Sequence, residues 1–201
     1  MRFSRLVGIA ALASAPALLQ AQSAPSTRPF GLGVSAGASV PVGTLRDNVN
    51  TGYSIAGHVY VMPPSLTMLS FRGDVSYDRW SFKNSGAVAG ITGNASVLGV
   101  TANAILKMSS TGMFHPYLIG GGGLYSGKSS VSAQGVSVDS PRSNKFGLQG
   151  GAGLDFALSG FSTFLEAKFV NVFQGSSDNG NGTSTSNGST RYIPITFGVR
   201  F

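Results

Sequence analysis

Apolar residues recur at every second position in eight separate stretches of this chain. That period of two describes strands with one face against something apolar and the other against something polar. From Phe30 to Val40, one face carries Phe30, Leu32, Val34, Ala36, Ala38 and Val40, and the other Gly31, Gly33, Ser35, Gly37 and Ser39. From Tyr53 to Met62, Tyr53, Ile55, Val59 and Val61 oppose Ser54, Ala56, His58 and Tyr60. Met68 to Trp80 sets Leu69, Phe71, Val75 and Tyr77 against Ser70, Arg72, Asp74, Ser76 and Asp78. Ala95 to Met108 sets Leu98, Val100, Ala102, Ala104 and Leu106 against Gly99, Thr101, Asn103 and Lys107. Phe114 to Tyr125 has the weakest alternation, with Leu118 and Leu124 opposite Gly121 and Gly123. Phe146 to Phe156 sets Leu148, Ala152, Leu154 and Phe156 against Gln149, Gly151, Gly153 and Asp155. Phe161 to Val172 puts Leu165, Ala167 and Phe169 opposite Glu166 and Lys168. The last stretch, Tyr192 to Phe201, aligns Ile193, Ile195, Phe197, Val199 and Phe201 against Pro194, Thr196, Gly198 and Arg200.

The connections between these strands alternate short and long. The short ones are Pro63 to Ser65, Ser109 to Gly112, and Ser159 and Gly160. The long ones are Pro41 to Thr51, Phe82 to Asn94, Ser126 to Asn144 and Gln174 to Arg191. Such a rhythm predicts an all-β chain, an eight-stranded antiparallel up-and-down transmembrane β-barrel with its first strand closing on its last. Strands of about 9–11 tilted residues suffice to cross a bilayer. Energetics then fixes which face meets lipid. An outward Arg near the bilayer midplane costs roughly 2–4 kcal/mol, so Arg72 and Asp74 point inward. Arg79 falls on the outer face but at the strand end, where the cost drops to about 0–1 kcal/mol.

Composition adds the compartment. Arg2 and Arg5 precede an apolar run from Leu6 to Leu19 and a small residue at Ala21, so residues 1–21 read as a secretory signal peptide. Residues 22–29 form a Pro/Ser tether, and residues 30–201 the barrel domain. No mature segment has the roughly 18 apolar residues that a spanning helix needs. The absence of cysteine excludes a disulfide scaffold and thiolate chemistry. A formal charge of +7, part of it in the leader, gives a weak pull toward anionic surfaces and no nucleic-acid footprint.

The stretches PYLIGGGG, FGLQGGAGLDF, FLEAKF and YIPITFGVRF, taken in order, resemble strands of the small outer-membrane barrels related to OmpA and OmpX. The resemblance implies an outer-membrane location in a Gram-negative envelope, short periplasmic turns, longer extracellular loops and a monomer. It also implies that Phe197, Val199 and the terminal Phe201 form the signal read by the outer-membrane insertion machinery. A soluble eight-stranded lipocalin is the structural rival. Three features favour the membrane: aromatic residues near strand ends on the outer face (Phe30, Tyr53, Phe71, Tyr77, Phe156, Phe169, Phe197 and Phe201), charged inner faces, and the terminal Phe.

Candidate chemistry is sparse. Gly122 to Ser129 reads GGLYSGKS and satisfies the P-loop pattern, but no helical period follows it, so a strand entering a loop explains it better. His58 and His115 are the only histidines and have no convergent ligand spacing, so no metal and no cofactor is expected. An enzyme acting on surface lipid is disfavoured because His58 faces inward and His115 lies at a short turn. The inward charges Arg72, Asp74, Lys107, Asp155, Glu166, Lys168 and Arg200 are expected to pair in the half of the barrel nearer the short turns, since buried charges persist only when paired. Inward glycines of the first, fifth and sixth strands are expected to make room for them and for Tyr60. In the long loops, Arg46, Lys83, Lys128, Arg142, Lys145 and Arg191 outnumber the acids and are candidates for lipopolysaccharide phosphates. The expected function is a structural or surface-interaction protein with a filled interior. A narrow channel for small solutes or ions is the alternative.

Overall fold

The computed structural model describes residues 29–83, 91–109, 112–133, 136–139, 142–158, 160–173, 177–179, 183–185 and 189–201. The expected signal peptide (residues 1–21) and most of the expected tether (22–29) lie outside the described residues. Among those residues the elements follow in the order β1 (Phe30–Val42), α1 (Thr44–Asn48), β2 (Gly52–Val61), β3 (Leu69–Ser81), β4 (Ile91–Lys107), β5 (Phe114–Ala133), β6 (Val136–Asp139), β7 (Ser143–Ala157), β8 (Ser162–Val172), β9 (Ser177–Asn179), β10 (Thr183–Thr185) and β11 (Thr190–Arg200). Eight of these strands close a ring. β1 pairs with β2 on one side and β11 on the other, and the β4–β5 pairing completes the circuit β1-β2-β3-β4-β5-β7-β8-β11. All of its pairings are antiparallel.

Closure is what makes the alternation meaningful, because a closed sheet has no unpaired edge and its two faces become an outside and an inside. In β1 the burial pattern alternates almost without a break, Phe30, Leu32 and Val34 being exposed while Gly31, Gly33 and Ser35 are covered. The register carries this phase around the ring: Ala36 pairs with Phe197 on β11 and with Ile55 on β2, all facing out. With a rise of about 3.4 Å per residue and a tilt of about 40°, the outward positions from Phe30 to Val40 span about 26 Å, the height of a lipid-facing band.

Four expectations are revised at the loop end. The stretches read as loops at Phe82 to Asn94 and Ser126 to Asn144 are partly strand: β4 begins at Ile91, and β5 runs on to Ala133 in register with it, with β6 folding back on β5. Above a membrane both faces of a strand see water, so the alternation that marks a strand fades while its backbone pairing continues. Pro41 to Thr51 contains α1, and Val49 after it is buried. Within Gln174 to Arg191, β9 pairs with β10. Lys128, Lys145 and Arg191 accordingly belong to strands β5, β7 and β11 and not to loops.

Candidate functional site: the barrel interior

Inward positions on opposite walls meet across the lumen. Arg72 on β3 faces Glu166 on β8, four strands away in either direction around the ring. The Arg72 guanidinium donates from Nη1 to Glu166 Oε2 at 2.8 Å and from Nη2 to Oε1 at 2.7 Å. This is the two-pronged geometry in which a guanidinium matches a carboxylate best. Nη2 also donates to Asp74 Oδ2 at 3.0 Å. Lys168 lies 3.3 Å from Asp74 Oδ2 and 3.5 Å from Glu166 Oε1. Two cations and two carboxylates thus share one buried cluster, and its formal charges cancel.

Further hydrogen-bonding side chains complete it. Tyr117 donates to Glu166 Oε2 at 2.8 Å. His58 bridges Asp74 and Ser35: Nδ1 is 2.8 Å from Asp74 Oδ1, and Nε2 is 2.9 Å from Ser35 Oγ. Asn103 donates to Asp74 Oδ2 at 3.0 Å and accepts from Gln149 Nε2 at 2.6 Å. Tyr125 in turn donates to Gln149 Oε1 at 3.2 Å. A chain of hydrogen bonds therefore climbs from the charge cluster toward the loops, where Tyr125 joins Val49, Trp80, Val170, Val172 and Tyr192 in a buried apolar cap. Trp80 is fixed there by its Nε1–H to the Ser39 carbonyl at 3.0 Å and by an edge contact with Tyr192. Asp78 lies two inward positions above Asp74, buried and facing Ser39, Ser54 and Tyr192.

At the short-turn end Arg200 donates to Asp155 Oδ2 at 2.6 Å. The guanidinium carbons of Arg200 and Arg72 lie 5.2 Å and 5.6 Å from the centre of the Tyr60 ring, which links the two ion-paired groups through its π face. Lys107 is half-buried on β4 near Arg200 and Asp155. All seven inward charges expected from the sequence are thus located: four in the central cluster, two in the pair below it, and Lys107 at the rim.

The inward glycines divide into two groups. A side chain at Gly33 would come within 3.1 Å of the Tyr60 ring, and Gly99 and Gly147 flank the Tyr125 ring at 2.9 and 2.7 Å. These positions make room for large side chains. Gly121, Gly123 and Gly151 are different: a side chain there would meet the backbone of the neighbouring strand. Their smallness serves close strand approach, so the expectation that they accommodate charges is corrected.

Sequence reasoning does not assign His58, Tyr117, Asn103, Gln149 or Ser35 to the network. A signal for His58 exists in the pairing of strands two and three, since it stands directly opposite Asp74. Tyr117 has no signal, because glycines on both faces of PYLIGGGG blur the phase. Ser35, His58 and Asp74 have the atom connectivity of a nucleophilic triad. Ser35 is only 8% exposed, however, and Arg72 and Lys168 both engage Asp74. The three side chains form a buried hydrogen-bonded chain joined to the charge cluster. Among the described residues no group of three or more His, Cys, Asp or Glu could hold a metal.

No family model and no curated protein matches the chain. Solved structures do. Neisserial surface protein A superposes with a TM-score of 0.58 at 18% identity, covering 86% of this chain and 96% of its own. A major outer membrane protein from Thermus thermophilus superposes with a TM-score of 0.57 at 14% identity, covering 87% and 99%. The fold is that of the small outer-membrane β-barrels. In a small outer-membrane barrel, eight strands leave a lumen just wide enough for side chains to fill. Here the described side chains fill it from Arg200 to Trp80.

Removing one partner of the central bridge leaves a buried charge without its match, which costs about 3–5 kcal/mol. Glu166→Ala is therefore expected to lower the unfolding free energy by that amount. Tyr125→Phe loses one neutral hydrogen bond worth about 1 kcal/mol. Urea titration of the barrel refolded in detergent micelles measures both, and equal effects from the two variants would contradict the geometry.

Proposed function

We propose that this protein resides in the outer membrane of a Gram-negative envelope as a structural and surface-interaction barrel, without catalytic activity and with a closed interior. The observation that carries the reading is the plug: opposite walls are tied by Arg72–Glu166 and Lys168–Asp74, under an aromatic cap. With the lumen occupied, the parts free to meet other molecules are the outer wall and the loops. The wall presents Phe71, Val75, Leu118, Leu148 and Phe169 to lipid, all of them exposed in the isolated chain.

The loop end supports a second element of the proposal, contact with lipopolysaccharide phosphates. Arg46 and Lys83 line one cup of about 490 Å³ beside Asn50 and Thr51. Lys83 Nζ is held 2.7 Å from the Arg46 carbonyl, so the two cations are kept together. Arg191 is exposed on β11 and donates to Asn171 and Ser189. Lys128 and exposed Arg142 extend the basic rim over β5 and the start of β7, while Lys145 takes an inward register on β7.

Purified barrel reconstituted in a planar bilayer is expected to show no discrete conductance and to migrate faster on a gel unboiled than boiled. Well-resolved openings by a fully folded sample would replace this reading with the narrow channel. For the rim, each cation near an anionic surface contributes about 1 kcal/mol, so Arg46→Ala with Lys83→Ala weakens lipopolysaccharide binding by roughly 30-fold. Titration against intact and dephosphorylated lipid A checks it. Equal affinity of native and doubly substituted barrel for intact lipid A would sink the contact.

A further inference from the structure

The three short turns carry no charged residue. Their sequences are MPPSLTM (Met62 to Met68), MSSTGM (Met108 to Met113) and LSGF (Leu158 to Phe161). Met62 packs inward against the Tyr60 cluster, but the other large side chains are well exposed: Leu66, Met68, Met108, Met113, Leu158 and Phe161 are between 40% and 60% accessible. The long connections at the other end, by contrast, each carry charged residues: Arg46 and Asp47, Lys83, Lys128 with Asp139 and Arg142, and Asp178 with Arg191. A rim facing bulk water has no physical reason to be apolar, and an exposed apolar patch of this extent marks a contact surface.

Its distribution identifies the occupant. The turns join β2 to β3, β4 to β5 and β7 to β8, and the ends of β1 and β11 fill the remaining quarter of the ring. That quarter carries exposed Phe30 and Phe201. Among the described residues, exposed apolar side chains therefore occur in every quarter of the circumference, and exposed Phe30, Phe114 and Phe201 sit where these quarters meet the apolar outer wall. A docked protein would need one patch on one side. Lipid needs a complete ring. Methionine, with its flexible thioether, suits an irregular and mobile contact of this kind.

We propose that the short-turn end does not emerge into water but is sunk in the lipid interface, so that the partner of this rim is the phospholipid of the adjacent leaflet. The partly exposed cations there, Arg200 (paired to buried Asp155) and Lys107, then meet headgroups in place of bulk solvent. The inference rests on the membrane reading above.

The chain has no cysteine, so single cysteines can be placed cleanly. Leu66→Cys, Met113→Cys and Leu158→Cys report on the turns, Val75→Cys on the wall and Thr51→Cys on the loop end. Each is labelled with an environment-sensitive fluorophore and refolded into phosphatidylcholine vesicles containing nitroxide lipids, with folding checked by unboiled gel migration. The expected result is blue-shifted emission from the three turn labels, quenched to at least half the extent seen at Val75, with water-like emission at Thr51. Water-like emission at the turns beside lipid-like emission at Val75 overturns the inference alone. Water-like emission at Val75 overturns the membrane reading with it.

Discussion

The bridge from Arg72 to Glu166 is the constraint to which the rest of the molecule answers. It joins strands on opposite sides of the ring, so both walls must stand at one separation for both hydrogen bonds to form. Burying two ions costs several kcal/mol each unless every remaining donor and acceptor is met. That requirement accounts for the second carboxylate, the lysine beside it, and the surrounding hydrogen-bonding groups of Tyr117, His58, Asn103 and Gln149. A half-satisfied cluster would be worse than an apolar filling. The strands carry the shape, and the cluster selects which register of the shape is acceptable.

The interior has two layers with different physics. Near the turns, ion pairs and Tyr60 hold the walls by electrostatics in a low-dielectric space. Near the loops, Trp80, Tyr125, Tyr192 and Val49 hold them by apolar contact, with Val49 coming from the segment just after α1. The Asn103–Gln149–Tyr125 chain couples the layers. What the described residues present outward is an apolar wall, cations among the long connections, and three short turns without a charged residue.

Most of the wall was legible in the sequence, because alternation at Phe30–Val40, Leu98–Leu106 and Ile193–Phe201 has a physical cause that acts on every strand between lipid and lumen. The inward charges were legible for the same reason: an Arg72 or Glu166 facing hydrocarbon is too costly. Legibility ended where that cause ends. Beyond the apolar band of the wall the extensions of β4 and β5 left no alternation, and at Tyr117 and Ile119 glycines on both faces removed the contrast. Partner identity was also hidden. Which carboxylate Arg72 would choose depends on a contact between residues 94 positions apart. Nothing along the sequence marks His58 as the link between Asp74 and Ser35 except the register of two neighbouring strands.

The claim that opposite walls are tied through one buried bridge is tested most directly by a double-mutant cycle on Arg72→Met and Glu166→Met, read as unfolding free energies in one lipid system. A direct contact predicts a coupling energy of about 1–3 kcal/mol, the double variant being far less destabilised than the sum of the singles. Additivity within about 0.5 kcal/mol would mean the two side chains do not meet, and the plugged barrel would have to be rebuilt around a different core.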